Sequence, residues 1–369
     1  MRIDRVELIH INLPMKKPFR TGCGASEERH LVLVKMYADG IVGYGEVSSN
    51  FDPHYSYETT GTCIHVLRDF FIPRILNTEL HTIEDFLERM DVYRGHNMAR
   101  SGLQTAFWDL LAKQQGIPLY RAIGGQDKER IETGVSIGIQ DTVDDLLREA
   151  EGFVDRGYRR LKIKIRPGYD VKPLTAVRRA FPDVPTMADA NSSYGLEHVE
   201  VFKRLDDLDL MMIEQPLSHD DIVDHRKLQE QIRTPICLDE SIHHAEDARK
   251  AIELGSCRIV NIKLSRVGGP SEAKRIQALC ADYGVPVWCG SMLESGIGEA
   301  FNIAVSTLPN YTIIGDVAPS DRYFTDDVIS PFIELNPDGT IDVPSTPGLG
   351  VEPDEEKIKR YTVEKIIVD

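Results

Sequence analysis

The sequence predicts an α/β barrel preceded by a smaller α+β domain, and three observations lead there. From residue 132 onward, short apolar strands alternate with amphipathic helices, the signature of parallel βαβ units. Eight such strands can be read, enough to close a barrel. Charged residues stand at the carboxyl ends of several of them, where barrel enzymes keep their chemistry.

At 369 residues the chain exceeds the usual single domain, so one large unit plus a smaller one is expected. Residues 2–11, 30–38 and 41–48 alternate apolar and polar, and Asp39–Gly40 between the last two is a hairpin signal. Helical patterns cover 58–75, 82–91 and 97–115, the last ending at Gly116 before Pro118. These elements make up an α+β domain over 1–125, closed by Gly124–Gly125. The alternating region spans 126–320. Its strands are expected at 132–139, 159–165, 186–190, 210–215, 235–239, 259–264, 286–290 and 312–315. Helices such as 142–156, 170–180, 196–206, 245–254 and 270–283 separate them. An open doubly wound sheet is the rival, but no Gly-rich dinucleotide fingerprint follows the first strand. Beyond 320 the alternation stops, broken by Pro331, Pro337, Pro344 and Pro347. This last segment, 321–369, is expected to return to the first domain.

Hydrophobic residues at 41% and charged residues at 28% suit a globular protein with a sizeable core. No apolar run reaches membrane-spanning length, and MRIDRVELIH reads as a first strand rather than a signal peptide. The net charge of −16 repels nucleic acid and anionic membranes, so neither is an expected partner. Six scattered cysteines without a C-x-x-C pair suit free thiols in a reducing cytoplasm.

Four consecutive strands read LKIKI, TMADAN, LMMIEQP and PICLDES, and a fifth, IVNIKLS, carries Lys263. Asp189, Glu214 and Asp239 therefore sit on three successive strands and are expected to converge. Three unpaired carboxylates held close repel one another, and a divalent cation relieves that. All-oxygen ligands favour Mg²⁺, with Mn²⁺ as a substitute, over zinc. Any one of these carboxylates alone is as easily a helix cap, but three in register argue against that. Asn191, two residues beyond Asp189, fits two roles: support for the metal shell, or a turn.

Lys162 and Lys164 share one face of their strand because side chains alternate, and Lys263 falls roughly opposite across a barrel. A lysine is a poor base at its ordinary pKa of about 10.4. Neighbouring ammonium groups, a metal cation and desolvation are all expected to lower it. The expected chemistry is removal of a proton α to the carboxylate of a small-molecule substrate, with Lys164 as base. The resulting enediolate is then reprotonated by Lys263, which racemises, or expels a β-hydroxyl, which dehydrates.

At KIK (162–164), DAN (189–191), EQP (214–216), DES (239–241) and NIKLSRVGG (261–269) the chain resembles the enolase superfamily, in its muconate-lactonising-enzyme subgroup. The catalytic His that other branches carry late in the barrel is absent from PVWCGSMLESG. PFRTGCGASEER (18–29), GYGEV (43–47), PVWCGSMLESGIG (286–298) and GDVAPSDRYF (315–324) are similar to the o-succinylbenzoate synthase / N-succinylamino acid racemase family. That resemblance implies a (β/α)₇β TIM-like barrel under an α+β capping domain, and a homo-oligomer, either dimer or octamer. It implies Mg²⁺ on Asp189, Glu214 and Asp239, an acid/base pair of Lys164 and Lys263, and electrostatic support from Lys162. The implied reaction is syn dehydration of 2-succinyl-6-hydroxy-2,4-cyclohexadiene-1-carboxylate in menaquinone synthesis, or racemisation of an N-acylamino acid.

Several residues keep two readings. Arg266, in SRVGG, either tunes Lys263 through like charge or pairs with a surface carboxylate. The loop at Phe19, Arg20 and Thr21 either drops onto the barrel mouth or is a plain domain interface. Ser136, Ser291 and Met292 fit substrate contacts or packing. Asp316 and Asp321 stand too far apart for the Asp-x-Asp pattern of dipeptide epimerases. A non-catalytic barrel would be expected to have lost one of these carboxylates or lysines, and none is missing.

Overall fold

The computed structural model describes residues 1–22 and 24–369, so Cys23 lies outside the described residues. The chain opens with an antiparallel meander of β1 (Ile3–Arg20), β2 (Ala25–Ala38) and β3 (Ile41–Val47). Asp39 and Gly40 both take positive φ, 49° and 79°, the twist that matches a two-residue hairpin turn. The first strand runs well past the expected residue 11, because β1 and β2 continue as a ribbon that pairs Phe19 with Ser26. The ribbon carries Phe19 toward the barrel.

One face of this sheet is covered by helices, chiefly Asn97–Gln115. That helix lies so close that a Cβ on Gly43 would stand 2.2 Å from the Ala106 carbonyl oxygen. It ends at Gly116 with φ 67°, the left-handed closure glycine permits. The expected helix at 58–75 forms as Thr60–Val66, a π-turn at Leu67–Phe71 and Ile72–Ile75.

The second sheet holds seven parallel strands. In chain order they follow the short β4 (Arg130–Glu132): β5 (Val135–Ile137), β6 (Leu161–Lys164), β7 (Thr186–Asp189), β8 (Ile213–Glu214), β9 (Ile236–Leu238), β10 (Ile259–Ile262) and β11 (Val287–Cys289). The expected strand 132–139 is split because β4 leaves the barrel and pairs with β13 (Thr340–Asp342), whereas β5 pairs with β6. The expected eighth strand, 312–315, is not a regular strand. Single bridges join Tyr311 to Val287 and Gly315 to Thr133, linking the two edges of the sheet. The Thr312 and Ile313 amides both turn to the Val287 carbonyl, which breaks the alternation a ladder needs.

Leu161 and Ile163 face outward against the helices, while Lys162 and Lys164 face inward. Below the lysines the barrel is plugged by Met187, Met212, Cys237, Ile259 and Trp288, a packed interior rather than a pore. The chain ends with β12 (Ile329–Ser330), β13, β14 (Glu352–Pro353) and β15 (Thr362–Val368). Strand β15 pairs with β1, so the tail returns to the cap sheet. Cys63, Cys237, Cys257, Cys280 and Cys289 are free and buried. No helix among the described residues is long and apolar enough to cross a membrane.

Candidate active site

Parallel pairing brings the charged strand ends level. Lys164 pairs with Asp189, and Asp189 with Glu214. Glu214 pairs with Cys237, which places Asp239 just above the end of β9. Above this row, between cap and barrel, lies a cavity of about 440 Å³. Lys162, Lys164, Asn191, Lys263, Ser136, Ser291 and Met292 line it from the barrel, and Phe19 and Tyr55 from the cap. In the sheet order β7, β8 and β9 stand between β6 and β10, so Lys164 and Lys263 occupy facing walls of the curled sheet.

Asp189, Glu214 and Asp239 lie just beneath, each fully buried. Lys164 Nζ donates to Asp189 Oδ2 at 2.6 Å and to Asn191 Oδ1 at 2.7 Å. Lys162 Nζ donates to Glu214 Oε2 at 3.2 Å and stands 3.3 Å from Asp189 Oδ2. It also pairs with Asp316, whose other oxygen takes Arg160. Lys263 Nζ is 2.7 Å from Asp239 Oδ2 and donates to the Tyr55 hydroxyl at 3.2 Å. Tyr55 in turn donates to Asp239 Oδ1 at 3.1 Å.

The electrostatics differ from the expectation of depressed lysines. Burial works to lower the pKa of Lys162, but Asp316, Glu214 and Asp189 outweigh it and raise it. Lys263 behaves alike: burial opposes its charge, and Tyr55, Glu240, Glu214 and Asp189 more than compensate. The protein's own groups at this site are dominated by carboxylates, and these favour ammonium. Burial works to raise Asp189, yet Lys164 and Lys162 hold it well below the usual carboxylate range. Burial and the Asp189 charge push Glu214 up.

As the side chains stand, no three acidic, histidine or cysteine groups among the described residues are grouped to hold a metal ion. Ammonium groups are set among the carboxylates instead. The donor chemistry still fits a hard divalent cation: three buried carboxylates from neighbouring strands, with no thiol or imidazole among them.

The remaining expected residues divide. Phe19 lines the cavity, with Lys164 Nζ 6.0 Å from its ring centre. Arg20 points away and pairs with Asp141 at 2.6 Å on the surface, because neighbours on a strand face opposite sides. Arg266 does not reach the cavity. It is buried behind Asp239, donating to its Oδ1 and to the Ile242 carbonyl at 2.7 Å. Ser136 presents a buried hydroxyl with no hydrogen-bond partner, whereas the Ser291 hydroxyl is engaged by Glu294 at 2.7 Å. Met292 lends its carbonyl to Arg29 at 2.6 Å. Sequence reasoning missed Tyr55 and Arg160, and weighed Asp316 only as half of a motif. Tyr55 sits in the aperiodic loop NFDPHYSY, where only docking of the cap reveals its role.

Comparison with known proteins agrees with this geometry. Residues 145–357 match the enolase C-terminal domain-like family. Residues 5–124 match the mandelate racemase / muconate lactonizing enzyme N-terminal domain. An o-succinylbenzoate synthase from Geobacillus kaustophilus is 51% identical over 363 residues, 98% of this chain and 96% of that one. An N-succinylamino acid racemase from Thermus thermophilus is 44% identical over 363 residues, 98% of each chain. The crystal structure of an enolase superfamily member from Listeria innocua superposes with a TM-score of 0.96 at 39% identity, covering 100% of this chain and 99% of that one. The chain thus belongs to the mandelate racemase / muconate lactonizing enzyme branch of the enolase superfamily, in the family whose members carry the names o-succinylbenzoate synthase and N-succinylamino acid racemase.

Proposed function

We propose that the protein is an o-succinylbenzoate synthase that removes water from 2-succinyl-6-hydroxy-2,4-cyclohexadiene-1-carboxylate, with racemisation of N-succinylamino acids at the same site. The observation that carries this reading is the placement of Lys164 and Lys263 on facing walls of one cavity, above buried carboxylates. Near-full-length relatives bearing both names support it. Superfamily membership implies a divalent cation, which we take to be Mg²⁺, with Mn²⁺ able to substitute, held by Asp189, Glu214 and Asp239. When bound, it supplies positive charge at the substrate carboxylate as the α-carbon loses its proton.

The other tasks fall to the chain's own groups. Lys164, as the amine, takes the α-proton and leaves negative charge on the carboxylate oxygens. The same group then gives that proton to the departing hydroxyl, so C–H and C–O break on one face and water leaves. Lys263 remains an ammonium on the other wall and stabilises the charge. In racemisation it donates its proton to the opposite face of the carbon, and the centre inverts. Lys162, kept charged by Asp316, Glu214 and Asp189, adds fixed positive charge.

We also infer a cytoplasmic homo-oligomer, a dimer or octamer, divided at 1–125, 126–320 and 321–369. The family match ending at residue 124 supports the first boundary. The test is to assay the purified enzyme with Mg²⁺ on both substrates and compare kcat/KM. A larger value for dehydration, abolished by EDTA and restored by Mg²⁺, is the expected result. Turnover of N-succinylamino acids alone would make it a dedicated racemase, the reading favoured by a second lysine facing the first. Turnover of neither substrate would end both readings.

A further inference from the structure

Glu240 has no part in the reaction above, yet it is buried beside the site. Its Oε1 accepts a hydrogen bond from the Asn191 side-chain nitrogen at 3.1 Å, and its Oε2 has no hydrogen-bond partner. On the far side of the same amide, Asn191 Oδ1 accepts from Lys164 Nζ at 2.7 Å. As ammonium or as amine, Lys164 has an N–H to give Asn191 Oδ1, and Glu240 Oε1 accepts from the Asn191 nitrogen, so these two neighbours favour this orientation of the amide. Turned over, the amide would set its NH₂ against the ammonium and its oxygen against the carboxyl oxygen. The Asn191 backbone is committed as well: φ is 41°, and its N–H donates to Asp189 Oδ1 at 3.0 Å.

We propose that Glu240 is a positioning residue for the base: it fixes the Asn191 amide, which holds Lys164 Nζ toward the substrate carbon. This rests on the assignment of Lys164 and Lys263 to opposite faces. Through hydrogen bonds Glu240 serves only the Lys164 face, while its charge also helps keep Lys263 an ammonium. Lys263 takes its place from Asp239 Oδ2 at 2.7 Å and the Tyr55 hydroxyl at 3.2 Å, both independent of Asn191.

Two variants separate hydrogen bonding from charge. Glu240→Gln keeps an acceptor for the Asn191 amide without the charge, and Glu240→Met removes the acceptor at similar length. Each enantiomer of N-succinylphenylalanine is incubated with enzyme and Mg²⁺ in D₂O, and exchange of its α-proton is followed by NMR. Each enantiomer presents that proton to one lysine. Glu240→Met should slow exchange on the Lys164 face by about tenfold or more, the loss of one hydrogen bond to a charged group's partner. Glu240→Gln should resemble the wild type on the Lys164 face, and on the Lys263 face the two variants, which lose the same charge, should agree with each other within about threefold. Slowing of Glu240→Met relative to Glu240→Gln by the same factor on both faces, no slowing on either, or a parallel rise in the Mg²⁺ concentration needed would overturn the proposal. If the wild type exchanges neither enantiomer, it is the two-base assignment that fails. The positioning role is then read from dehydration: lower kcat at unchanged KM in Glu240→Met supports it, and unchanged kcat overturns it.

Discussion

The two lysine-bearing walls of the cavity are built by different means. On the β6 wall, every ion pair and hydrogen bond holding Lys162 and Lys164 comes from the barrel, from Asp189, Asn191, Glu214 and Asp316, and the cap adds only the Phe19 ring. On the β10 wall, Lys263 leans on Asp239 but also on Tyr55, which hangs from the cap. Arg266 braces Asp239 from behind. The polar contacts of the first wall are complete once the barrel has folded; the second needs the cap in place. On the proposed roles, proton removal rests on barrel groups, and charge stabilisation or reprotonation from the opposite face rests partly on the cap.

The largest effect should follow from Lys164→Ala. With no base on the β6 wall, dehydration and racemisation should both fall by about 10³-fold or more. Steady-state kcat on the two substrates checks this, and retained turnover of either removes the assignment. Lys263→Ala should split the reactions. Racemisation should be lost to a similar extent, while dehydration, which needs that ammonium only as a charge, should fall by a smaller factor, about 10- to 100-fold. Equal losses would erase the distinction between the walls.

Asp316 tests the β6 wall through stability. Burial works to raise its pKa, but Lys162 and Arg160 override that and hold it at about 2. A carboxyl depressed in the folded state stabilises above its unfolded pKa of about 3.9, and that contribution is lost as pH falls toward about 2. Asp316→Asn should cost about 2 kcal/mol near neutrality. The gap to wild type, measured by denaturant unfolding, should narrow between about pH 4 and pH 2. A gap independent of pH would mean that Asp316 acts by shape rather than charge. On the β10 wall, Tyr55→Phe removes the hydroxyl shared by Lys263 and Asp239. Racemisation should drop by about tenfold, the worth of a hydrogen bond to a charged group. Dehydration should drop less. A larger effect on dehydration would place the cap's control on the wrong wall.

The difference between the walls also explains what could be read in advance. Lys162, Lys164, Asp189, Glu214, Asp239 and Lys263 announce themselves because each sits at or near the end of a short apolar strand, where alternation fixes the face. The helices Asn97–Gln115 and Ala245–Leu254 keep the bounds their periodicity and terminal glycines suggest. Partners that arise from long-range packing leave no local mark. Arg160 and Asp316 are 156 residues apart in sequence, and Tyr55 lies 208 residues from Lys263. The segment at 312–315 misled because its apolar composition suits a strand, while its amides do not follow the ladder. Arg266 was legible as a charge near Lys263, but that it braces Asp239 needed the fold.

The smallest effect is expected at Arg20, and it tests whether the cavity has only these two walls. Alternation along β1 sends Phe19 to the cavity and Arg20 to solvent. There its partner Asp141 is 79% exposed and Arg20 itself is 50% exposed. Such a pair contributes at most about 1 kcal/mol to stability. Arg20→Ala should therefore leave kcat/KM for both substrates within about twofold of wild type. A rise in KM beyond that, with kcat unchanged, would mean that the Phe19–Thr21 ribbon rolls over to meet the substrate carboxylate. The cap would then supply a cationic wall of its own, and the division between a barrel side and a cap-assisted side would have to become a division among three.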